Sequence, residues 1–231
     1  MNESLLFKYP AKAKVDRVIA KERIYQAGHV SVALERNFIE EVGQIRWSYK
    51  LSEATLNLPS TENFKEFQVI LIVLKGDKLN PDILAAIDKT IPFPLIFEIE
   101  KTQTRNGEER KERRLMAAYK THNWEEKKSI RCSDYYYSDW FSFDSERVAL
   151  PPAINLEKLY QQILMKLLPA APIDDVTFEE NLQRQEKLGA LEREIKTLTQ
   201  KMNREKQFNR RVKWHQQLQK VKQEKEELLH G

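Results

Sequence analysis

Residues 67–74 read FQVILIVL, apolar at every position except Gln68. A run of this length, apolar on both faces, predicts a central strand in a covered sheet. Upstream, Ile45, Trp47, Tyr49 and Leu51 alternate with Arg46, Ser48 and Lys50, the period of a half-buried strand. Before that strand, Leu34, Phe38 and Val42 recur every four residues behind Ser31, which predicts a serine-capped helix stopped by Gly43. Residues 55–59 (TLNLP) continue the strand or leave it.

Downstream, Asn80-Pro81 is a helix start, a capping side chain followed by the ring that fits the first helical position. That helix turns Ile83, Leu84 and Ile87 inward and cannot pass Ile91-Pro92-Phe93-Pro94. Residues 95–100 (LIFEIE) are the next strand, so the order predicts a crossover packed on one sheet. Asn106-Gly107 signals a tight reversal, with residues 114–119 returning as a strand. Residues 129–144, rich in tyrosine, tryptophan and phenylalanine, read as a last strand with its exit loop. After Pro151-Pro152, residues 154–168 form an amphipathic helix with Leu156, Leu159, Tyr160, Ile163, Leu164 and Leu167 on its apolar stripe.

Pro169-Ala170-Ala171-Pro172 is a linker, and a different pattern begins near Phe178. Leu188, Leu191, Ile195, Leu198 and Met202 follow 3,4 spacing, and Trp214, Leu218, Val221, Lys225 and Leu228 follow 4,3 spacing. The two seams are out of phase, since 16 residues separate Leu198 from Trp214. A turn between Asn203 and Asn209 would fold the arm into an antiparallel hairpin; without glycine or proline there, a single bent helix is the alternative. The expected architecture is therefore an α/β domain at residues 1–172, a mixed α+β sheet with flanking helices, followed by a helical coiled-coil hairpin arm at 173–231.

Charge sharpens that division. The chain carries a net +4, and residues 177–231 hold 13 basic against 9 acidic residues, so the rest of the chain is balanced. Within the arm, residues 196–222 carry nine basic residues and one acid, Glu205, a concentration that attracts phosphate backbones or an acidic protein surface. Lys201, Arg204, Lys206, Arg210, Arg211 and Lys213 surround Phe208 and Trp214. Cations with interspersed aromatics suit a nucleic-acid backbone with stacked bases. The competing reading is structural: coiled coils are lysine-rich, and Phe208 and Trp214 would pack against the facing helix. These eight residues are the candidate nucleic-acid or partner site. No apolar run approaches the length of a membrane span, no basic start and apolar stretch suggests a signal peptide, and the single cysteine, Cys132, excludes an internal disulfide. The expected compartment is the cytoplasm.

Catalytic patterns are missing. There is no phosphate-loop motif, no Gly-x-Gly-x-x-Gly and no Gly-x-Ser-x-Gly, and His29, His122, His215 and His230 show no metal-like pairing. The enzymatic rival is a metal-dependent nuclease, whose chemistry needs two carboxylates on a divalent cation and a lysine near the attacking water. The Glu-x-Lys triplets Glu109-Arg110-Lys111 and Glu126-Lys127-Lys128 both lie in polar segments. Glu98 and Glu100 sit on a better strand, but Lys101 follows at the wrong spacing, and alternation with Ile99 reads as a solvent face. The run Tyr135-Tyr136-Tyr137 with Trp140, Phe141 and Phe143 is either packing or a binding platform. No catalytic residue, metal ligand or cofactor is assigned.

Taken together, Ala13-Lys14-Val15-Asp16-Arg17, Ile45-Arg46-Trp47-Ser48-Tyr49-Lys50-Leu51, Ile91-Pro92-Phe93-Pro94-Leu95-Ile96-Phe97, Ser138-Asp139-Trp140-Phe141 and Gln207-Phe208-Asn209-Arg210-Arg211-Val212 give the chain a recognisable layout. It resembles a bacterial family catalogued as a domain of unknown function, over nearly the full chain. Members of that family tend to be encoded beside DNA methyltransferases and helicase-type restriction subunits. The resemblance implies a non-catalytic accessory subunit of a restriction-like or antiphage defence assembly. It would dock on a larger partner of helicase or methyltransferase type, with DNA as a second target of the basic arm and no membrane contact.

Overall fold

A computed structural model of the chain describes residues 4–105, 108–123, 128–131 and 133–230. Two compact units divide it, Met1–Leu167 and Leu168–Gly231. In the first, a 3-10 turn (Ala11–Ala13) leads into β1 (Lys14–Val18), α1 (Lys21–Gly28), α2 (Val32–Glu41), β2 (Val42–Ser52) and the single turn α3 (Glu53–Leu56). Next come β3 (Glu66–Leu74), α4 (Pro81–Thr90), β4 (Leu95–Arg105) and β5 (Glu108–Ala117). Short strands β6 (Lys120–Asn123), β7 (Lys128–Arg131), β8 (Tyr136–Tyr137) and β9 (Phe141–Ser142) precede α5 (Leu156–Met165).

A seven-stranded sheet runs β1-β2-β3-β4-β5-β8, with β9 also pairing with β5, and β6 and β7 form a separate ribbon. β3 and β4 are parallel, with α4 as their connection, and β2 and β5 flank them antiparallel. The fold is thus a mixed α/β sheet with flanking helices. Local chemistry sets the helix starts. The Ser31 hydroxyl accepts from the Leu34 amide, and the Asn80 side chain accepts from the Asp82 amide with Pro81 at the first position. Gly43 does not stop α2, which ends at Glu41; it lies in β2 at a bulge, where a Cβ would sit 3.2 Å from the Val73 carbonyl. The Asn106-Gly107 reversal and Cys132 lie outside the described residues.

One face of the sheet packs Ile45, Ile70, Ile72, Phe97 and Ile99 against Ile24, Phe38, Ile83, Leu84 and Ile87 of the helices. Each such buried side chain contributes on the order of 1.5–3 kcal/mol. α4 is closed at its C-terminal end by buried Lys120, whose ammonium donates to the Asp88 and Ile91 carbonyls and, at 3.1 Å, to the Asp88 carboxylate. On the other face, Tyr160 of α5 is fully buried among Phe64 and Phe67, and its hydroxyl donates to the Leu95 and Ala118 carbonyls. No helix among the described residues is long and apolar enough to cross a membrane.

In the second unit, α6 (Phe178–Arg204) and α7 (Phe208–His230) pack as an antiparallel hairpin around Leu191, Leu198, Leu218 and Val221, with Ile195, Met202, Trp214 and Leu228 partly buried beside them. These are the two seams of the heptad pattern, and Lys225, at a seam position, pairs with Glu192 at 2.8 Å. A capping box between Thr177 and Glu180 starts α6. Arg184 ties the hairpin's open end, donating to the Leu228 and Leu229 carbonyls that end α7 and to the Ala171 carbonyl. Asn181 and Gln185 hold the backbone of Ile173 and Ala170, so the proline-flanked segment is fastened to α6.

Candidate nucleic-acid and partner interface at the hairpin tip

Residues 205–207 join α6 to α7 without glycine or proline; the Glu205 carboxylate accepts from the Gln207 amide in their place. Around this turn Lys201, Arg204, Lys206, Arg210, Arg211 and Lys213 are all exposed. The two sides of the turn differ in electrostatic logic. Lys201 and Arg204 occupy the last turn of α6, where the negative end of the helix dipole favours cations. Arg210 and Arg211 occupy the first turns of α7, the positive end, which holds no acidic residue. The start of α6 is the internal contrast, with Glu179 and Glu180 in that place. Cations at a helix N-terminus weaken their own helix, so the hairpin's stability does not explain them.

Phe208, the first residue of α7, is 73% exposed, and Val212, one turn on, is 39% exposed. Spacing of i, i+4 sets them on one face. With Met202, Asn203, Arg211 and His215 they line an open depression of about 490 Å³. Trp214 takes the other role foreseen for it: it is half-buried in the seam, with the Lys201 ammonium 5.3 Å from its ring centre. The tip therefore gathers six cations and an exposed aromatic–aliphatic pair, while Trp214 supports them from below. Met202, Asn203, Val212 and His215 were not among the sequence candidates. Val212 was legible from its helical spacing to Phe208.

The carboxylates with nuclease potential have a different fate. Glu98 and Glu100 are not on a solvent face: they are 3% and 8% exposed. Arg147 donates to both oxygens of Glu98 at 2.8 Å and to the Phe7 carbonyl. Arg113 donates through Nε and Nη2 to one oxygen of Glu100, at 2.8 and 2.6 Å, and reaches Glu98 at 3.4 Å. The guanidinium of Arg147 is held above its ordinary range by its hydrogen bonds to Glu98. Burial, and secondarily the Glu98 charge, raises the nearby Tyr9 phenol. These buried carboxylates thus serve as counter-ions of two partly buried arginines. Glu109, Arg110 and Lys111 are exposed on β5, where Arg110 pairs with Glu108; Glu126 and Lys127 lie outside the described residues. Among the described residues, no group of three His, Cys, Asp or Glu side chains is gathered to hold a metal ion.

The aromatic run divides between packing and exposure. Tyr136 is buried, and the Tyr135 hydroxyl donates to the Asp88 carboxylate at 2.8 Å, whereas Tyr137 and Phe143 are 59% and 43% exposed.

No curated protein and no solved structure matches the chain. The family model described as Domain of unknown function (DUF4391) matches residues 7–224, nearly the whole length, and the chain belongs to that family.

Proposed function

We propose that the protein is a non-catalytic accessory subunit of a restriction-like or antiphage defence assembly, acting in the cytoplasm. In this reading it docks on a larger helicase- or methyltransferase-type partner, and the tip of its basic hairpin contacts DNA. The observation that carries the reading is the placement of Arg210 and Arg211 at the positive end of α7, beside the exposed Phe208. Residues that weaken their own helix yet surround an exposed ring are explained by a bound anionic surface. The defence setting rests on the family resemblance alone. The nuclease alternative is disfavoured by the arginine pairing of Glu98 and Glu100.

The test is a salt titration of binding to duplex and single-stranded DNA. With about four to six phosphate contacts, the log–log slope for duplex DNA is roughly −4 to −5. Arg210→Gln with Arg211→Gln flattens it by about two units at unchanged helicity. Absence of salt-sensitive binding to duplex DNA, single-stranded DNA or RNA makes the tip a protein-docking element.

A further inference from the structure

Three partly buried arginines of the α/β unit have carboxylate partners. Arg46 has Asp16 at 2.5 Å, Arg113 has Glu100, and Arg147 has Glu98. Arg114, next to Arg113 on β5 but on the other face of the sheet, makes no side-chain hydrogen bond or ion pair among the described residues, and its Nε is buried without a partner. Its guanidinium carbon instead lies 4.5 Å from the ring centre of Trp140 and 4.9 Å from that of Tyr137. On Trp140 a second cation is stacked, Lys101 at 4.0 Å, but its charge is already met by Glu112 at 3.2 Å. The result is a ladder of Tyr137, Arg114, Trp140 and Lys101 with one uncompensated positive charge, ending in a tyrosine that is 59% exposed.

Register explains how the ladder forms. Tyr137 of β8 lies opposite Met116, so it shares a sheet face with Arg114 two residues away, and Lys101 lies opposite Glu112 on that same face. Trp140 is anchored by packing against the main core. A guanidinium fixed between rings offers its terminal nitrogens as a planar fork, the geometry that matches phosphate oxygens. The open Tyr137 ring beside it is a stacking platform of the kind that accepts any base.

We propose that Arg114, Tyr137 and Trp140 form a nucleotide site on the α/β unit, with a phosphate on the free edge of the Arg114 guanidinium and a base stacked on Tyr137. All three residues belong to the first unit. An acidic protein side chain would fill the fork but leave the Tyr137 ring uncovered, which is why a nucleotide, free or within a single strand, is the better occupant.

The test uses the full chain carrying Arg210→Gln and Arg211→Gln, which quiets the hairpin. The probes are thymidine 5′-monophosphate, a 5′-phosphorylated deoxythymidine octamer, inorganic phosphate and N-acetylglutamate, followed by NMR at the Arg114 Nε–H and Trp140 indole signals. Nucleotide probes should shift both signals and bind more tightly than phosphate or N-acetylglutamate. Arg114→Gln and Tyr137→Ala should each weaken them by about ten-fold or more, and Tyr137→Phe should preserve binding. An octamer much tighter than the mononucleotide identifies a strand as the source; equal affinity identifies a free nucleotide. Tyr137 is exposed, so its removal leaves folding intact. Phosphate or N-acetylglutamate binding as tightly as the nucleotides, no shift with any probe, or full binding by Tyr137→Ala overturns the proposal.

Discussion

Reversing the charges at the start of α7 should strengthen the hairpin while abolishing its grip, because the two arginines oppose the helix dipole there. For exposed groups, removing an unfavourable cation and installing a favourable anion are each worth about 0.3 kcal/mol at the low end. Arg210→Glu with Arg211→Glu therefore stabilises α7 by about 1 kcal/mol. Glu at position 210 also gains a neighbour in Lys213, three residues on, for a further ~0.2–0.5 kcal/mol. Native-state amide hydrogen exchange on the full chain resolves this: α7 amides should exchange about five-fold more slowly in the variant at low salt. High salt should shrink the difference, since the effect is screened. Salt-sensitive binding of duplex DNA should vanish in the same variant. Unchanged or faster exchange would refute the reasoning that these arginines are carried at the helix's expense.

The remaining expectations follow from burial. Glu98→Gln leaves the partly buried Arg147 without a counter-ion and should cost about 1.5–3 kcal/mol, lowering the melting temperature by roughly 3–12 °C; lost function in cells at an unchanged melting temperature would instead favour catalysis. Trp214→Ala should lower the stability of the hairpin by about 1–3 kcal/mol, while Phe208→Ala, at 73% exposure, should stay within ~0.5 kcal/mol yet weaken binding. A fragment ending at Leu167 should express solubly and unfold cooperatively, because every strand of the sheet and its helix-packed core cluster lie within it; an aggregated or molten fragment would show otherwise.

Much of the fold was legible because its signals are local. The two-sided apolar run at 67–74, the Asn80-Pro81 start and the alternation from Ile45 to Leu51 depend on neighbours within a turn or a strand. The hairpin was legible from the 16-residue phase break between its seams, although the turn itself uses a glutamate and not glycine. Gly43 misled, because a glycine that ends a helix and one that admits a bulge look alike in sequence. Burial of Glu98 and Glu100 was not legible: their partners lie 13 and 49 residues on, and only the sheet register and the return of the chain to Arg147 bring them together. The Arg114 ladder was hidden for the same reason, its rings being contributed from beyond β5. At the hairpin tip, the cations were visible as composition, but the division between exposed Phe208 and seam-bound Trp214 required the facing helix.

The central claim is that the hairpin tip is where this protein meets its target. A photo-crosslinking amino acid at position 208, with a control at Gln223, exposed further along α7, tests it most directly in the native host. Adducts are expected from position 208, and not from 223, that mass spectrometry identifies as a helicase- or methyltransferase-type subunit or as DNA. Equal adducts from both positions, or none from 208 in a functional protein, would contradict it.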